Sequence, residues 1–263
     1  MQFIVQGYPA YAYTGGVEPD FTLPAIVFVH GAAFDHSVWQ WQSRYFAHHG
    51  RCVLAVDLPG HGRSPGAVRT RIEDWASWLV ALLDAAGLAR AALVGHSMGS
   101  LIAVEATLRA PDRVSRLALV GSAVPMAVGD AFRAAAREAP EVAFDMEAGW
   151  GHARFSQLAS SAVPGSTLLG ASRCLNARSR AGALSAALEA CNAYRPDAQA
   201  LGSITVPTLV AAGKRDQMTP FKAGRGLASA IPGSRFVPLD AGHSMMSEAP
   251  RELLRALRDF LAE

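Results

Sequence analysis

The sequence predicts an α/β protein in which a mostly parallel sheet carries helices on both faces. Several short runs are apolar at every position, which is typical of strands buried on both faces of a parallel sheet. Helical patterns lie between most of these runs, and that alternation favours a parallel sheet. The chain has 263 residues, of which 51% are hydrophobic, so it can bury the core of a single α/β domain.

The predicted strands begin with a hairpin and continue along most of the chain. Residues 2–6 and 10–14 show an alternating pattern, so we expect two paired strands there. The six later strands are predicted from the apolar runs 25–29, 52–56, 91–94, 117–120, 208–212 and 235–239. Helices are predicted at 72–86, 97–110 and 249–261, the first from an apolar face with 3.6-residue spacing.

One stretch breaks the alternation of strands and helices. Residues 123–203 contain no convincing strand, are rich in Ala, Arg, Ser and Gly, and are interrupted by Pro140, Pro164 and Pro196. The stretch is too long for a loop, so we predict several short helices. We therefore expect a core domain formed by residues 1–122 and 204–263, with residues 123–203 inserted as a helical cap over the sheet.

Composition excludes several classes of protein. The formal net charge is +2 and the basic residues are scattered among acidic ones, which argues against a nucleic-acid partner. No apolar run approaches the ~18 residues that span a bilayer, and the N-terminus does not resemble a signal peptide. The three cysteines lack metal-ligand spacing. We expect a soluble, cytoplasmic protein without metal, cofactor or membrane partner; its oligomeric state stays open.

A serine between two glycines stands at the predicted junction of a strand and a helix. Residues 94–100 are VGHSMGS, which places Ser97 in the pattern G-x-S-x-G with Gly95 and Gly99. Side chains at the glycine positions would collide with a neighbouring strand or helix, and the turn would expose the serine hydroxyl. A helix-capping serine in a glycine-rich turn is the alternative. The flanking strand and helix favour a nucleophile.

A serine nucleophile needs a base, and the base needs an orienting acid. Among eight histidines, His243 follows the last predicted strand, where open α/β sheets place their sites. Asp216 follows the strand 208–212 and is the predicted acid. Asp240, three residues before His243, is the competitor, although it fits turn formation. Asp130 is the nearest carboxylate after the strand 117–120.

The developing oxyanion needs hydrogen-bond donors. The backbone N–H of Met98, at the start of the helix after Ser97, is the first predicted donor. The loop after the strand 25–29 supplies the second, for which we predict the N–H of Ala32, with Ala33 as the alternative. We expect His30 to hold this loop by hydrogen bonds.

Taken together, these motifs resemble those of the α/β-hydrolase family. The resemblance covers nearly the whole chain: His30–Gly31 with Trp39 downstream, the loop DLPGHGRS at 57–64, the elbow GHSMG, GKRD at 213–216 and Gly242–His243. It implies an eight-stranded, mostly parallel sheet with a helical cap after the sixth strand, and a structural role for the 57–64 loop. Serine at the elbow disfavours haloalkane dehalogenases and epoxide hydrolases, which use aspartate there.

The combined prediction is a serine hydrolase that cleaves carboxylic esters of small to medium, mainly apolar substrates. We expect residues 147–155 to form a pocket wall or simply a helix end. An adaptable apolar pocket is predicted from Met98, Met126, Met218, Met245 and Met246. The alternatives within the fold are a carbon–carbon bond hydrolase, a perhydrolase and a lactonase. A slow-turnover ligand receptor is the alternative from another class.

Overall fold

The computed structural model describes residues 1–158 and 167–262. In these residues, eight strands form one sheet in the order β1-β2-β4-β3-β5-β6-β7-β8. The strands are β1 (Gln2–Val5), β2 (Tyr8–Tyr13), β3 (Ala25–Val29), β4 (Cys52–Val56), β5 (Ala91–His96), β6 (Val114–Val120), β7 (Thr208–Gly213) and β8 (Arg235–Leu239). β1 and β2 are antiparallel to their neighbours, and β3 to β8 are parallel. The predicted fold class is confirmed.

The central strands are buried on both faces, as their continuous apolar runs predict. Alternate residues supply the two faces: Val27 packs into one hydrophobic cluster and Phe28 into the other. β6 begins at Val114, three residues before the predicted start, because Val114 pairs with Ala91 across the ladder. Its second and third residues are polar, so the apolar pattern alone missed this part.

Six helices accompany the strands outside the segment between β6 and β7. They are α1 (Gln40–Ala47), α2 (Ile72–Ala85), α3 (Met98–Arg109), α10 (Phe221–Ala230), α11 (Met245–Glu248) and α12 (Pro250–Ala262). α2, α3 and α10 bury their apolar residues on one face of the sheet, and α1 and α12 on the other. None of the helices in the described part of the chain has the length and apolar character needed to cross a bilayer.

In the described part of the segment between β6 and β7, which omits residues 159–166, six further helices form: α4 (Asp130–Glu138), α5 (Pro140–Gly151), α6 (Arg154–Leu158), α7 (Leu168–Ala177), α8 (Ala183–Ala193) and α9 (Ala198–Gly202). Pro140 begins α5, where a missing N–H costs no helical bond. The predicted break at Pro164 lies outside the described residues. The described part of this segment holds no strand, which agrees with a helical insertion after the sixth strand. The exact domain boundaries stay a prediction.

Candidate active site

Ser97 occupies a sharp turn between β5 and α3. Its φ is +52°, a conformation that a residue with a side chain seldom adopts. The flanking glycines are required: a Cβ at Gly95 would overlap the backbone of Gly99, and a Cβ at Gly99 would overlap the carbonyl of Val29 on β3. The predicted collisions with a neighbouring strand and helix are confirmed.

Hydrogen bonds hold this turn against the adjacent strand. The backbone N–H of Ser97 donates to the carbonyl of Val120 at the end of β6, at 3.0 Å. The Ser100 hydroxyl donates to the carbonyl of Ser97 at 2.5 Å, and its oxygen lies 2.6 Å from the Ser122 hydroxyl. The Ser97 side chain is half-buried and lines a pocket. The backbone of the turn is therefore fixed while the hydroxyl faces open space.

Asp216 and His243 form a buried pair at the carboxyl edge of the sheet. His243 Nδ1 lies 2.8 Å from Asp216 Oδ2, and their side chains are 4% and 0% exposed. Asp216 Oδ1 accepts the backbone N–H groups of Met218 and Thr219, both at 2.8 Å, and Oδ2 also accepts the Thr219 hydroxyl at 2.6 Å. Both oxygens of the carboxylate therefore accept hydrogen bonds from two donors each.

These contacts set the charge state of the pair. Burial raises the pKa of the Asp216 carboxyl, but the charge of His243 and hydrogen bonds from His243 and Thr219 outweigh it and hold the pKa below its usual value. The carboxylate is therefore ionised at neutral pH and accepts the proton on His243 Nδ1. This fixes the tautomer and leaves the Nε2 lone pair of His243 free to take a proton.

The two competing carboxylates lie elsewhere. Asp240 is 66% exposed and pairs with Arg215 at 2.9 Å, and Asp130 is 94% exposed and pairs with Arg133 at 2.5 Å. Within the described chain, neither carboxylate forms a hydrogen bond or an ion pair with His243. Of the predicted acids, the structure brings only Asp216 to the imidazole.

Ser97 and His243 both lie beside the end of β6. A Cβ on Gly121, the residue after that strand, would come within 3.1 Å of His243 Nδ1. Among the described residues, neither the Ser97 hydroxyl nor His243 Nε2 makes a hydrogen bond. Catalytic hydrogen bonds are often long in the absence of substrate and tighten when it binds. His96 is near both: its Nε2 lies 3.1 Å from the carbonyl of His243.

The two predicted oxyanion donors have free N–H groups. Within the described chain, no hydrogen bond engages the backbone N–H of Ala32 or Met98. Ala32 lines the same pocket as Ser97, and Met98 is the first residue of α3, whose dipole is positive at this end. His30 holds the loop as predicted: its Nδ1 lies 2.7 Å from the carbonyl of Gly31, and its Nε2 accepts the N–H of Leu58 at 3.0 Å.

The pocket beside Ser97 has a volume of about 210 Å³ and is lined mainly by apolar residues. Its lining residues are Ala32, Ser97, Met126, Ala127, Val128, Gly129, Ala131, Phe132, Glu147, Trp150, Leu188, Cys191, Gln217, Met218 and Thr219. Helices between β6 and β7 supply much of this wall. The pocket is large enough for a short acyl or alcohol group.

The predicted pocket residues are correct only in part. Met126 and Met218 line the pocket, but Met98, Met245 and Met246 pack into the hydrophobic clusters of the core. Met98 lies on α3, which packs against β5 and β6, and Met245 and Met246 lie on the short helix α11 beside α12. In the stretch 147–155, Glu147 and Trp150 line the pocket, whereas Phe155 is 73% exposed.

Sequence reasoning assigned no individual role to two residues of the site, Thr219 and Glu147. Thr219 follows Asp216 by three residues, a spacing at which a hydroxyl can bond back to a carboxylate, and this signal was available. Glu147 lies in the stretch 147–155, predicted as a pocket wall or a helix end, but the sequence assigns no role to its carboxyl group. Both are in the pocket wall.

One cluster in the described residues has the composition of a metal site. Asp35, His36 and Asp57 place ligand atoms within 4.8 Å of one another. Asp57 already accepts the N–H and Nδ1 of His36 at 2.7 and 2.8 Å and the N–H of Arg63 at 2.8 Å. Asp35 caps a short helical turn and pairs with Arg178 at 3.1 Å. The carboxylate of Asp57 is therefore already used in hydrogen bonds that stabilise the 57–64 loop.

Comparison with known proteins agrees with this geometry. The model of the alpha/beta hydrolase family matches residues 26–256. A putative carbamate hydrolase RutD of Variovorax paradoxus is 30% identical over 260 residues, covering 90% of this chain and 91% of its own. A pimeloyl-[acyl-carrier protein] methyl ester esterase of Chromobacterium violaceum is 32% identical, covering 95% and 97%.

Among solved structures, the enol-lactonase from Burkholderia xenovorans LB400 superposes with a TM-score of 0.88 at 27% identity, covering 100% of both chains. The chain belongs to the alpha/beta hydrolase family. Esterases and other hydrolases among its relatives support hydrolase activity for this protein.

Proposed function

We propose that this protein is a serine hydrolase that cleaves carboxylic esters of small to medium, mainly apolar substrates through an acyl-enzyme on Ser97. The observation that carries the proposal is the buried Asp216–His243 pair, 2.8 Å apart, at the sheet edge where Ser97 lines an apolar pocket. A strained serine, an oriented imidazole and free N–H groups are the parts that acyl transfer needs.

The reaction follows from the protonation states of the site. His243 takes the Ser97 proton on Nε2 as the hydroxyl oxygen attacks the ester carbonyl, and Asp216 stabilises the imidazolium that forms. The N–H groups of Ala32 and Met98 bind the oxyanion, each contributing roughly 3 kcal/mol to the barrier reduction. His243 then protonates the leaving alcohol, and water releases the acyl group by the same steps.

A lactone is the second candidate substrate. The similarity over the full chain to a solved enol-lactonase favours it, because a lactone is a cyclic ester and needs the same nucleophile and donors. The carbon–carbon hydrolase and perhydrolase alternatives would use the same three residues, Ser97, His243 and Asp216, but they would act on other substrates. The receptor alternative predicts turnover far below the typical ~1–10³ s⁻¹ on every substrate.

The test combines labelling with substrate profiling. A fluorophosphonate should add once to the wild-type protein, and peptide mapping should place the adduct on Ser97. Ser97→Ala should lose the adduct and at least about 10⁴-fold of kcat on p-nitrophenyl butanoate. Ser229→Ala, an exposed serine on α10, is the matched control and should keep both.

A panel of linear esters, lactones, carbamates and thioesters, with and without peroxide, then ranks the substrate classes. Wild-type turnover retained in Ser97→Ala, or an adduct on another residue, would overturn the proposed mechanism. Tight binding of panel members together with turnover far below the typical ~1–10³ s⁻¹ would favour the receptor alternative.

A further inference from the structure

Glu147 stands out in the pocket wall because it is acidic and buried, and because one of its carboxyl oxygens, Oε2, has no hydrogen-bond partner. The residue is 5% exposed, and Oε2 makes no hydrogen bond. Within the described chain, no lysine, arginine or histidine forms an ion pair with it. An unpaired buried carboxyl group costs free energy in an unliganded protein, so its presence in a pocket requires an explanation.

The surroundings of Glu147 argue against a well-formed hydrogen-bonded link between α5 and α7. Asn176 on α7 lies beside it and favours its ionised form, but both amide atoms of Asn176 lack hydrogen-bond partners. Ser172 on the same helix also has a buried, unpartnered hydroxyl. The contact between α5 and α7 therefore leaves Oε2 of Glu147 and both amide atoms of Asn176 without a hydrogen bond of normal geometry.

The position of Glu147 relates it to the reacting group. It lines the same pocket as Ser97, and the other residues around the pocket are largely apolar. Burial raises the pKa of Glu147 to about 8, so the group is mainly an uncharged carboxylic acid at neutral pH. A neutral carboxyl group offers one hydrogen-bond donor and one acceptor.

We propose that Glu147 is a specificity residue that binds an uncharged polar group of the substrate, a hydroxyl or a carboxamide, which both donates and accepts hydrogen bonds. The inference rests on the proposed function for the identity of the reacting bond. A substrate that is apolar along its length and carries such a group at its end would satisfy the buried carboxyl and fill the pocket. A hydrogen-bonding site rejects an analogue that lacks the group because its own buried polar atoms stay unpaired.

The experiment uses ethyl esters that differ only at the end of the acyl chain. Each chain length from four to seven carbons is made with a terminal carboxamide, an isopropyl group of similar size, or an ammonium group. A second set carries the same three groups on the alcohol part. Specificity is the ratio of kcat/KM for the carboxamide ester to that for its isopropyl match.

Wild-type protein should favour the carboxamide at one chain length by about ten-fold or more. Glu147→Met should lose that preference, whereas Glu147→Gln should retain it, since glutamine also offers a donor and an acceptor. Met126→Leu, in the apolar part of the same wall, is the control and should change both esters alike. A purely structural role for Glu147 would lower both rates together and leave the ratio unchanged.

The same esters are titrated calorimetrically into Ser97→Ala protein, with and without the Glu147 substitutions. This separates the two proposals: failed hydrolysis with selective binding of the carboxamide overturns the proposed function and supports the role of Glu147. Equal binding and equal rates for carboxamide and isopropyl esters at every length overturn the role of Glu147. Preference for the ammonium esters also overturns it, because it would show recognition of a cation by an ionised carboxylate.

Discussion

The buried carboxyl of Glu147 makes a prediction about stability that is independent of any substrate. Its pKa is raised from 4.5 to about 8 in the folded protein because burial disfavours the charged form. The unfolded chain ionises near the ordinary value, so the folded state binds the proton more tightly. The free energy of unfolding must then fall as pH rises from about 4.5 to about 8. The Glu147→Gln variant cannot ionise at this position, so this contribution to the pH dependence must be absent from it.

The magnitude follows from the two pKa values. A pKa difference between 4.5 and about 8 corresponds to about 5 kcal/mol over the full titration. Between pH 5.5 and 8.5, where the protein can be handled, the linkage relation gives a loss of about 3 kcal/mol from this group. The stability of Glu147→Gln relative to wild type should therefore rise by about this amount over the interval.

Urea denaturation of both proteins at several pH values, followed by tryptophan fluorescence, measures the difference directly. Glu138→Gln is the control, since this glutamate is 69% exposed and its replacement should give a difference that hardly changes with pH. A pH-independent difference between wild type and Glu147→Gln would refute the reasoning. It would mean that Glu147 is solvated or paired in solution.

Four further predictions concern the site. Asp216→Asn should lower kcat by about 10⁴-fold, whereas Asp240→Asn should leave it near wild type; equal losses would contradict the assignment of the acid. In steady-state assays, Thr219→Val should lower kcat by about ten-fold because Asp216 loses a hydroxyl donor. Thr219→Ser keeps that hydroxyl and should have a kcat near the wild-type value. Ser97→Gly should be more stable than Ser97→Ala by about 1 kcal/mol in denaturant titrations, since glycine tolerates φ +52°; equal stability would argue against strain. Gly121→Ala should destabilise the fold by about 1–2 kcal/mol and reduce kcat, because its φ is +59° and its Cβ would press on the imidazole; unchanged melting and turnover would contradict this.

The parallel sheet could be predicted because local sequence sets it. Runs such as Ala25–Val29 and Cys52–Val56 are apolar at each position, and only strands covered on both faces require that. The start of β6 was missed because Ser115 and Arg116 break the apolar run while backbone pairing continues. Backbone hydrogen bonds do not depend on side-chain polarity, so an apolar pattern underestimates strand length.

The candidate site could be predicted where a residue is tied to the chain's own geometry. Ser97 is marked by its two glycines, and His243 and Asp216 each follow a strand. Parallel strands bring their carboxyl ends to one edge, so residues distant in sequence converge there. Only the tertiary structure shows which carboxylate lies beside His243, because Asp240 is exposed and forms an ion pair with Arg215 instead.

By itself the sequence determined the mostly parallel α/β sheet and the strained serine turn, because these depend on local periodicity and on glycines at fixed positions. The α/β-hydrolase fold followed from the resemblance of its motifs to that family. Only the tertiary structure decided which helical residues face the pocket and which face the core. Met98 and Met126 belong to the same hydrophobic cluster, but only Met126 also lines the pocket, and Glu147 is enclosed with its Oε2 unpartnered. These outcomes depend on how helices between β6 and β7 pack against one another and on the sheet, and such packing is a property of residues far apart in the chain.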